Sequence, residues 1–245
     1  MTDLVGQYMF SGVPRTTPNS RLQELVDAAT AVFIAQGYRR TQMADVADAM
    51  GVAKGTVYLY VESKEALFDV VLRYADAPRP FDSPPTMPIP TPSPGRTLRY
   101  VRQRLAEPAS VTLREALRHR TTQIGAEQLT GVFSEIYDSM ARNRTGIKLV
   151  DRCASDYPEL AKLWFTAGRE VLLGELARYL GVGMRRGRLR VGPDPAIAAR
   201  LVLETLVFWA VHRHWDPSPQ PMDPEIARGT VIELLVAAVL KGGKP

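Results

Sequence analysis

The chain has 245 residues, 45% of them hydrophobic, which is enough apolar material for a packed core and enough length for two domains. No run reaches the roughly 18 apolar residues of a membrane span and no basic-then-apolar leader opens the chain, so the expectation is a soluble, cytoplasmic protein with no membrane partner. The formal net charge is +5, yet residues 1–76 hold 7 Lys+Arg against 9 Asp+Glu while the remainder holds 24 against 17. Bulk charge therefore excludes nothing, and any nucleic-acid reading has to rest on local placement.

Residues 1–18 are rich in Gly, Pro and Thr without sustained periodicity and read as a flexible tail. From Asn19 or Ser20, either of which suits an N-cap, Leu22, Leu25, Val26, Ala29, Val32 and Phe33 recur at helical spacing. Gly37 is placed to end that helix. Thr41 then suits the N-cap of a short helix that turns Met43, Val46, Ala47 and Met50 inward, and Gly51 closes it. A further helix is expected from about Ala53, and Ser63 caps a fourth with Leu67, Val70, Val71 and Tyr74 as its inner stripe. Two short helices joined by a Gly-containing turn form a helix-turn-helix pattern, and residues 19–76 read as one such unit.

The stretch "AKGTVYLYV" in this unit has an unusual outer side. Val57 and Val61 lie four apart and face inward, which leaves Lys54, Gly55, Thr56, Tyr58, Leu59 and Tyr60 toward the outside. A glycine inside a helix costs about 1 kcal/mol against alanine, so its presence asks for something that approaches the backbone closely. A DNA major groove fits. Thr56 and Lys54 have the chemistry to contact base edges, and the hydroxyls of Tyr58 and Tyr60 suit phosphate oxygens. Lys64 adds charge near the next helix's N-terminus, while Thr41 and Gln42 open the preceding helix on the opposite backbone.

These residues carry a resemblance. Residues 20–75, through "ATAVFIAQGYRRTQMADVADAMGVAKGTVYLYVESKEALF", resemble the DNA-binding domain of the TetR family of bacterial transcriptional regulators. The matching features are the G-Y that closes the first helix, the Thr that opens the second, the "A-x-x-x-G-V" turn, the "K-G-T-V-Y-x-Y" recognition helix and the "S-K-E-x-L" start of the fourth. Two positions depart from the family pattern: Ala53 replaces a hydroxyl N-cap, and Val61 stands where a Phe is usual, so another group must fill the vacated volume. The resemblance implies a dimeric regulator, most simply a repressor released from operator DNA by a small molecule. The competing readings are an activator or constitutive DNA binder with a vestigial pocket, and a helical carrier or enzyme without DNA affinity. Against an enzyme, the sequence offers no paired acid and base, no nucleophile elbow and no phosphate loop.

Residues 77–95 are a proline-rich linker, with eight prolines in residues 78–95, and read as an extended spacer or a docking site for an aromatic groove. The rest, 96–245, is expected to be a helical regulatory and dimerisation domain, with helices over 97–106, 113–123, 126–141, 146–154, 158–186, 195–214 and 223–240. The whole is all-α. The last two helices are apolar around most of their circumference, more than one core face needs, and resemble the helices through which family members pair as homodimers. Tyr100, Phe133, Tyr137, Trp164 and Phe165 are candidates for an apolar effector pocket, each also readable as ordinary core. The run "RRGRLR" at 185–190 reads either as an anion site or as cations favoured by a helix C-terminus. Cys153 has no internal partner and reads as a small buried side chain, and His119, His212 and His214 lack metal-binding spacing, so no metal and no cofactor is expected.

Overall fold

The computed structural model describes residues 18–77, 85–119, 124–190, 192, 194–218 and 220–241. Residues 1–17 of the predicted tail, residues 78–84 of the linker and the end of the helix expected over 113–123 lie outside these, while Pro18, the last residue of the predicted tail, opens the first helix. The first helix, α1 (Pro18–Gln36), buries Leu22, Leu25, Val26, Ala29 and Phe33 completely. It ends where expected: Gly37 has φ +84°, and its N–H donates to the Phe33 carbonyl at 2.8 Å. Helix α2 (Met43–Ala49) and the single turn of α3 (Lys54–Val57) form the helix-turn-helix, joined through Gly51 at φ +66°. Helix α4 (Lys64–Tyr74) follows, with the Ser63 hydroxyl accepting from the Ala66 N–H as predicted.

Sequence placed the N-cap of α2 at Thr41, whereas the structure places it at Gln42. The Thr41 side chain is buried and donates instead to the Gly37 carbonyl at 2.6 Å, tying the end of α1 to the start of α2. The Asp45 carboxylate accepts the Gln42 N–H at 2.8 Å and closes the helix start from the other side.

The linker does not run free. Residues 85–94 lead back along the head, where Ile89 forms a parallel bridge with Val61. Met87 and Ile89 pack on the same core as Val57, Val61 and Leu67, in the neighbourhood of the small side chain at position 61. Gly95, at φ +75°, then turns the chain into α5 (Arg96–Ala106), whose Thr97 hydroxyl donates to Asp69 of α4 at 2.7 Å.

Helices α6 (Val111–Arg118), α7 (Ala126–Arg142) and α8 (Arg144–Ala154) follow. The segment predicted as one helix over 158–186 is continuous but not uniform. It comprises α9 (Pro158–Lys162), a π-helical stretch (Leu163–Glu170) and α10 (Val171–Arg185). Helix α11 (Pro195–Ala210) tightens into a 3-10 turn over His212–Trp215, and α12 (Pro224–Val239) completes the fold. Aspartates 194 and 223 cap α11 and α12, each ahead of a proline at the first helical position. The described residues contain no strand, only isolated bridges.

Two apolar cores result. One holds α6, α7, α10, α11 and α12 around Leu129, Phe133, Leu176 and Leu206. The other joins the helix-turn-helix to Val101 of α5, Leu149, Val150 and Cys153 of α8 and Leu160 of α9. Helix α8 is therefore a wall of the head's core. Two carboxylates fasten this wall. Asp76, just past α4, accepts the Thr145 and Gly146 N–H groups at 2.8 and 2.6 Å, and Asp156, past α8, accepts those of Tyr38 and Arg39 at 3.1 Å each.

Candidate nucleic-acid interface and ligand cavity

Helix α3 is anchored from one side only. Val57 and Val61 are fully buried, which turns Lys54, Gly55, Tyr58 and Leu59 to the exterior and leaves Thr56 and Tyr60 half-buried. Ala53 precedes the helix with no side-chain cap. A Cβ built on Gly55 meets no atom within 4 Å, so the fold itself does not require glycine there. Tyr58 and Leu59 are 41% and 67% exposed, a costly display of large side chains for a face meant only for water. Gln42 is exposed beside this surface, with its backbone N–H held by Asp45.

Two of the sequence-predicted contacts are corrected. Thr41 cannot reach DNA with a buried hydroxyl already bonded to Gly37. Lys64 points back into the protein: its Nζ donates to the carbonyls of Tyr38, Arg39 and Thr41 at 3.1, 3.3 and 3.2 Å and lies 4.7 Å from the Tyr38 ring centre. It neutralises the carbonyl-rich loop between α1 and α2. Exposed cations that sequence reasoning passed over, Arg39 and Arg40, occupy that loop next to Gln42. Their signal was present in "GYRRTQ", where two arginines adjoin the start of α2.

A cavity of about 700 Å³ opens between α4, α5, α7, α8, the π-helical stretch and α11, within the range typical of small-molecule sites. Of the aromatic candidates, Tyr100 and Trp164 line it. Phe133 and Tyr137 do not: α7 turns them into the core it shares with α6, α10, α11 and α12, where Phe133 is fully buried and the Tyr137 hydroxyl donates to the Trp209 carbonyl at 3.4 Å. Phe165 is 40% exposed and also leaves the cavity, because consecutive residues of the π-helical stretch point in different directions. That stretch approaches α5 closely, so a Cβ on Gly168 would lie 3.0 Å from a Leu105 methyl.

The cavity wall is apolar along Val101, Leu105, Ile147, Val150 and Leu172 and polar where arginines project. Arg73 holds Asp69 through two bonds of 2.8 and 3.1 Å and stacks over Tyr100 at 4.3 Å. Arg104 holds Glu107 and the Asn143 side-chain oxygen, and Arg169 pairs with Glu204. His212 sits in this wall with its pKa lowered, first by burial and then by Lys148, which favours the neutral imidazole. Sequence reading missed these groups because they come from elements spread between Arg73 and His212, with no local spacing to join them.

On the far side, Ile197, Leu201 and Phe208 of α11 and Ile226 and Leu234 of α12 are 45–70% exposed. Their helices also border a groove of about 560 Å³ lined by Trp209, Met222 and Leu235. Among the described residues no group of His, Cys, Asp or Glu has the geometry to hold a metal ion, and no helix is long and apolar enough to cross a membrane.

Comparison with known proteins agrees with this fold. Residues 25–71 match the bacterial regulatory proteins of the tetR family, and residues 122–232 match the C-terminal domain of AefR-like transcriptional repressors. The chain is 40% identical over 55 residues to the HTH-type transcriptional repressor KstR2 of Rhodococcus jostii, a match spanning 22% of this chain and 27% of that protein. The solved structure of the ketosteroid transcriptional regulator KstR2 of Mycobacterium tuberculosis superimposes with a TM-score of 0.55 at 19% identity, covering 92% of this chain and 98% of that one. A tetR-family regulatory protein from Rhodococcus RHA1 gives 0.53 at 20% identity, covering 93% and 100%. With a helix-turn-helix head, an all-helical body and both halves matched in order, the chain belongs to the TetR family of bacterial transcriptional regulators.

Proposed function

We propose that the protein is a homodimeric repressor that reads operator DNA with α3 and is released when a small molecule enters the cavity beside α5. The observation that carries the reading is the outer side of α3, where Lys54, Gly55, Thr56 and Tyr58 form an accessible surface around a glycine the fold does not need. Thr56 and Lys54 are assigned to base edges, Tyr58, Tyr60 and Gln42 to the phosphate backbone, with Arg39 and Arg40 beside them. The exposed apolar side chains of α11 and α12 are assigned to the partner subunit. A dimer places two such heads on half-sites about one helical turn or its multiples apart. The effector acts by binding better to a head spacing that does not fit DNA. A cavity of apolar walls interrupted by arginine–carboxylate pairs fits an amphipathic molecule with a polar, hydrogen-bonding end.

The test begins by recovering duplexes from a random pool with the wild-type protein. Gly55→Leu should remove binding to the recovered duplex while leaving the melting temperature nearly unchanged, since a Cβ at this exposed position meets no protein atom within 4 Å. Thr56→Ala should shift the preferred sequence, whereas Tyr58→Ala should weaken all sequences alike. A thermal-shift screen followed by duplex release tests the effector role. Full duplex affinity in Gly55→Leu would remove α3 from the interface.

A further inference from the structure

We propose that residues 85–95 are a stiff tie-rod that couples the end of the reading helix to the α5 wall of the cavity, with Ile89 and Thr91 as its pins; the functional meaning of the tie rests on the repressor reading above. Helix α3 is only one turn long, and beyond Val57 the chain continues in tight turns. The main-chain partners that residues 60–62 find outside their own turns lie on Ile89: its N–H donates to the Tyr60 carbonyl at 2.7 Å, and its carbonyl accepts the Glu62 N–H at 3.0 Å. Thr91 adds a second pin. Its N–H donates to the Glu62 carboxylate at 2.9 Å, and its hydroxyl meets that of Ser63, the cap of α4, at 2.8 Å.

The sequence explains why this segment suits the task. In "PIPTPSP", residues 88–94, prolines alternate with other residues, so N–H donors remain only at Ile89, Thr91 and Ser93. Alternate residues of an extended chain bond to the same neighbour, and two of the three donors are used on residues 60–62. Proline restricts the backbone, so the segment loses little further freedom when pinned and transmits displacement rather than absorbing it.

Its other end enters the cavity wall within two helical turns. Gly95 turns the chain into α5, Thr97 binds Asp69, and Tyr100, Val101, Arg104 and Leu105 then line the cavity. An occupant that shifts α5 relative to α4 therefore pulls on the backbone around Val61. Coupling of this kind is reciprocal, so loosening the pins should be felt at α5.

The experiment uses the full-length protein and backbone hydrogen exchange. Thr91→Val removes the hydroxyl pin while keeping the shape, Thr91→Ser is the conservative control, and Ile89→Pro removes the N–H donor to Tyr60. In the DNA-free protein, Thr91→Val and Ile89→Pro should speed exchange about five- to tenfold at residues 60–62 and also at 100–105, leaving α10 and α11 unchanged, and Thr91→Ser should restore the wild-type rates. A merely local role would speed exchange at 60–62 alone, and that result overturns the proposal. On a duplex recovered by the wild type, binding should slow exchange at 100–105 in the wild type and leave it unaffected in Thr91→Val; an equal response in both also overturns the tie. Failure of the repressor reading shows separately, as recovery of no duplex, and the DNA-free comparison still decides whether the tie exists.

Discussion

Gly37→Ala is expected to destabilise the protein through one carboxylate, that of Asp156. Gly37 has φ +84°, and a Cβ built there lies 2.7 Å from the nearer Asp156 oxygen and 3.3 Å from its carboxyl carbon. The same carboxylate accepts the N–H groups of Tyr38 and Arg39, so it cannot retreat without losing bonds. The left-handed backbone itself costs a residue with a Cβ about 1–2 kcal/mol. Displacing the carboxylate forfeits two charge-assisted hydrogen bonds, together about 2 kcal/mol after allowance for their partial exposure. Gly37→Ala should thus cost about 3–4 kcal/mol, and Asp156→Ala about 2 kcal/mol. In the Asp156→Ala background the clash is gone, and Gly37→Ala should cost only the backbone share, about 1–2 kcal/mol. Urea unfolding followed by circular dichroism, at one fixed protein concentration because a dimer's stability depends on it, measures all four proteins. Equal costs of Gly37→Ala in both backgrounds would show that the carboxylate is not what the missing side chain makes room for.

Lys64→Met should lower stability by about 1–3 kcal/mol, because three carbonyls lose their cation, while duplex affinity measured by gel shift falls less than for Lys54→Met. Glutamates at Ile226 and Leu234 should convert the protein to monomer in sedimentation, since burying each of these side chains fully is worth about 1.5–3 kcal/mol and a buried charge reverses the sign. His212 and His214 both have lowered pKa values, chiefly from burial. The unfolded chain therefore takes up protons first, so their contribution is present above the ordinary histidine pKa of about 6.5 and is lost as pH falls below it. Melting temperatures of wild type and His212→Gln should converge as pH drops from 7.5 to 5.5; parallel curves would mean His212 is not held neutral in the fold.

The helices and the head were legible because their signals are local. The stripe from Leu22 to Phe33, the glycines at 37 and 51 and the Ser63 cap all act within a turn or two of themselves. Lys64 shows the limit of that logic. Its position near a helix start suggested an anion outside, but its partners are carbonyls more than twenty residues earlier in the chain. The aromatic candidates divided for a related reason. Phe133 and Trp164 look alike as apolar residues on helices, and only the packing of α7 under α11 and α12 sends one to the core while the other meets the cavity. The linker was misleading in a different way. Prolines exclude helix, which the composition states clearly, but they do not exclude pairing through the donors left between them, and Ile89 uses that option. The overrun predicted at 214 reflects a shift to tighter winding after Val211, where no Gly or Pro marks the change.

Cys153 is the chain's one thiol, and it is fully buried where α8 meets α1, with its Sγ 3.9 Å from the Phe33 carbonyl. Burial, with Asp156 nearby, pushes its pKa up to about 12, so a modifying reagent finds neither access nor thiolate while α8 stays seated. The molecule thus carries its own clock for the junction between head and body. The rate at which a maleimide or disulfide reagent labels Cys153 counts how often α8 lifts from α1, without any added fluorophore or engineered residue.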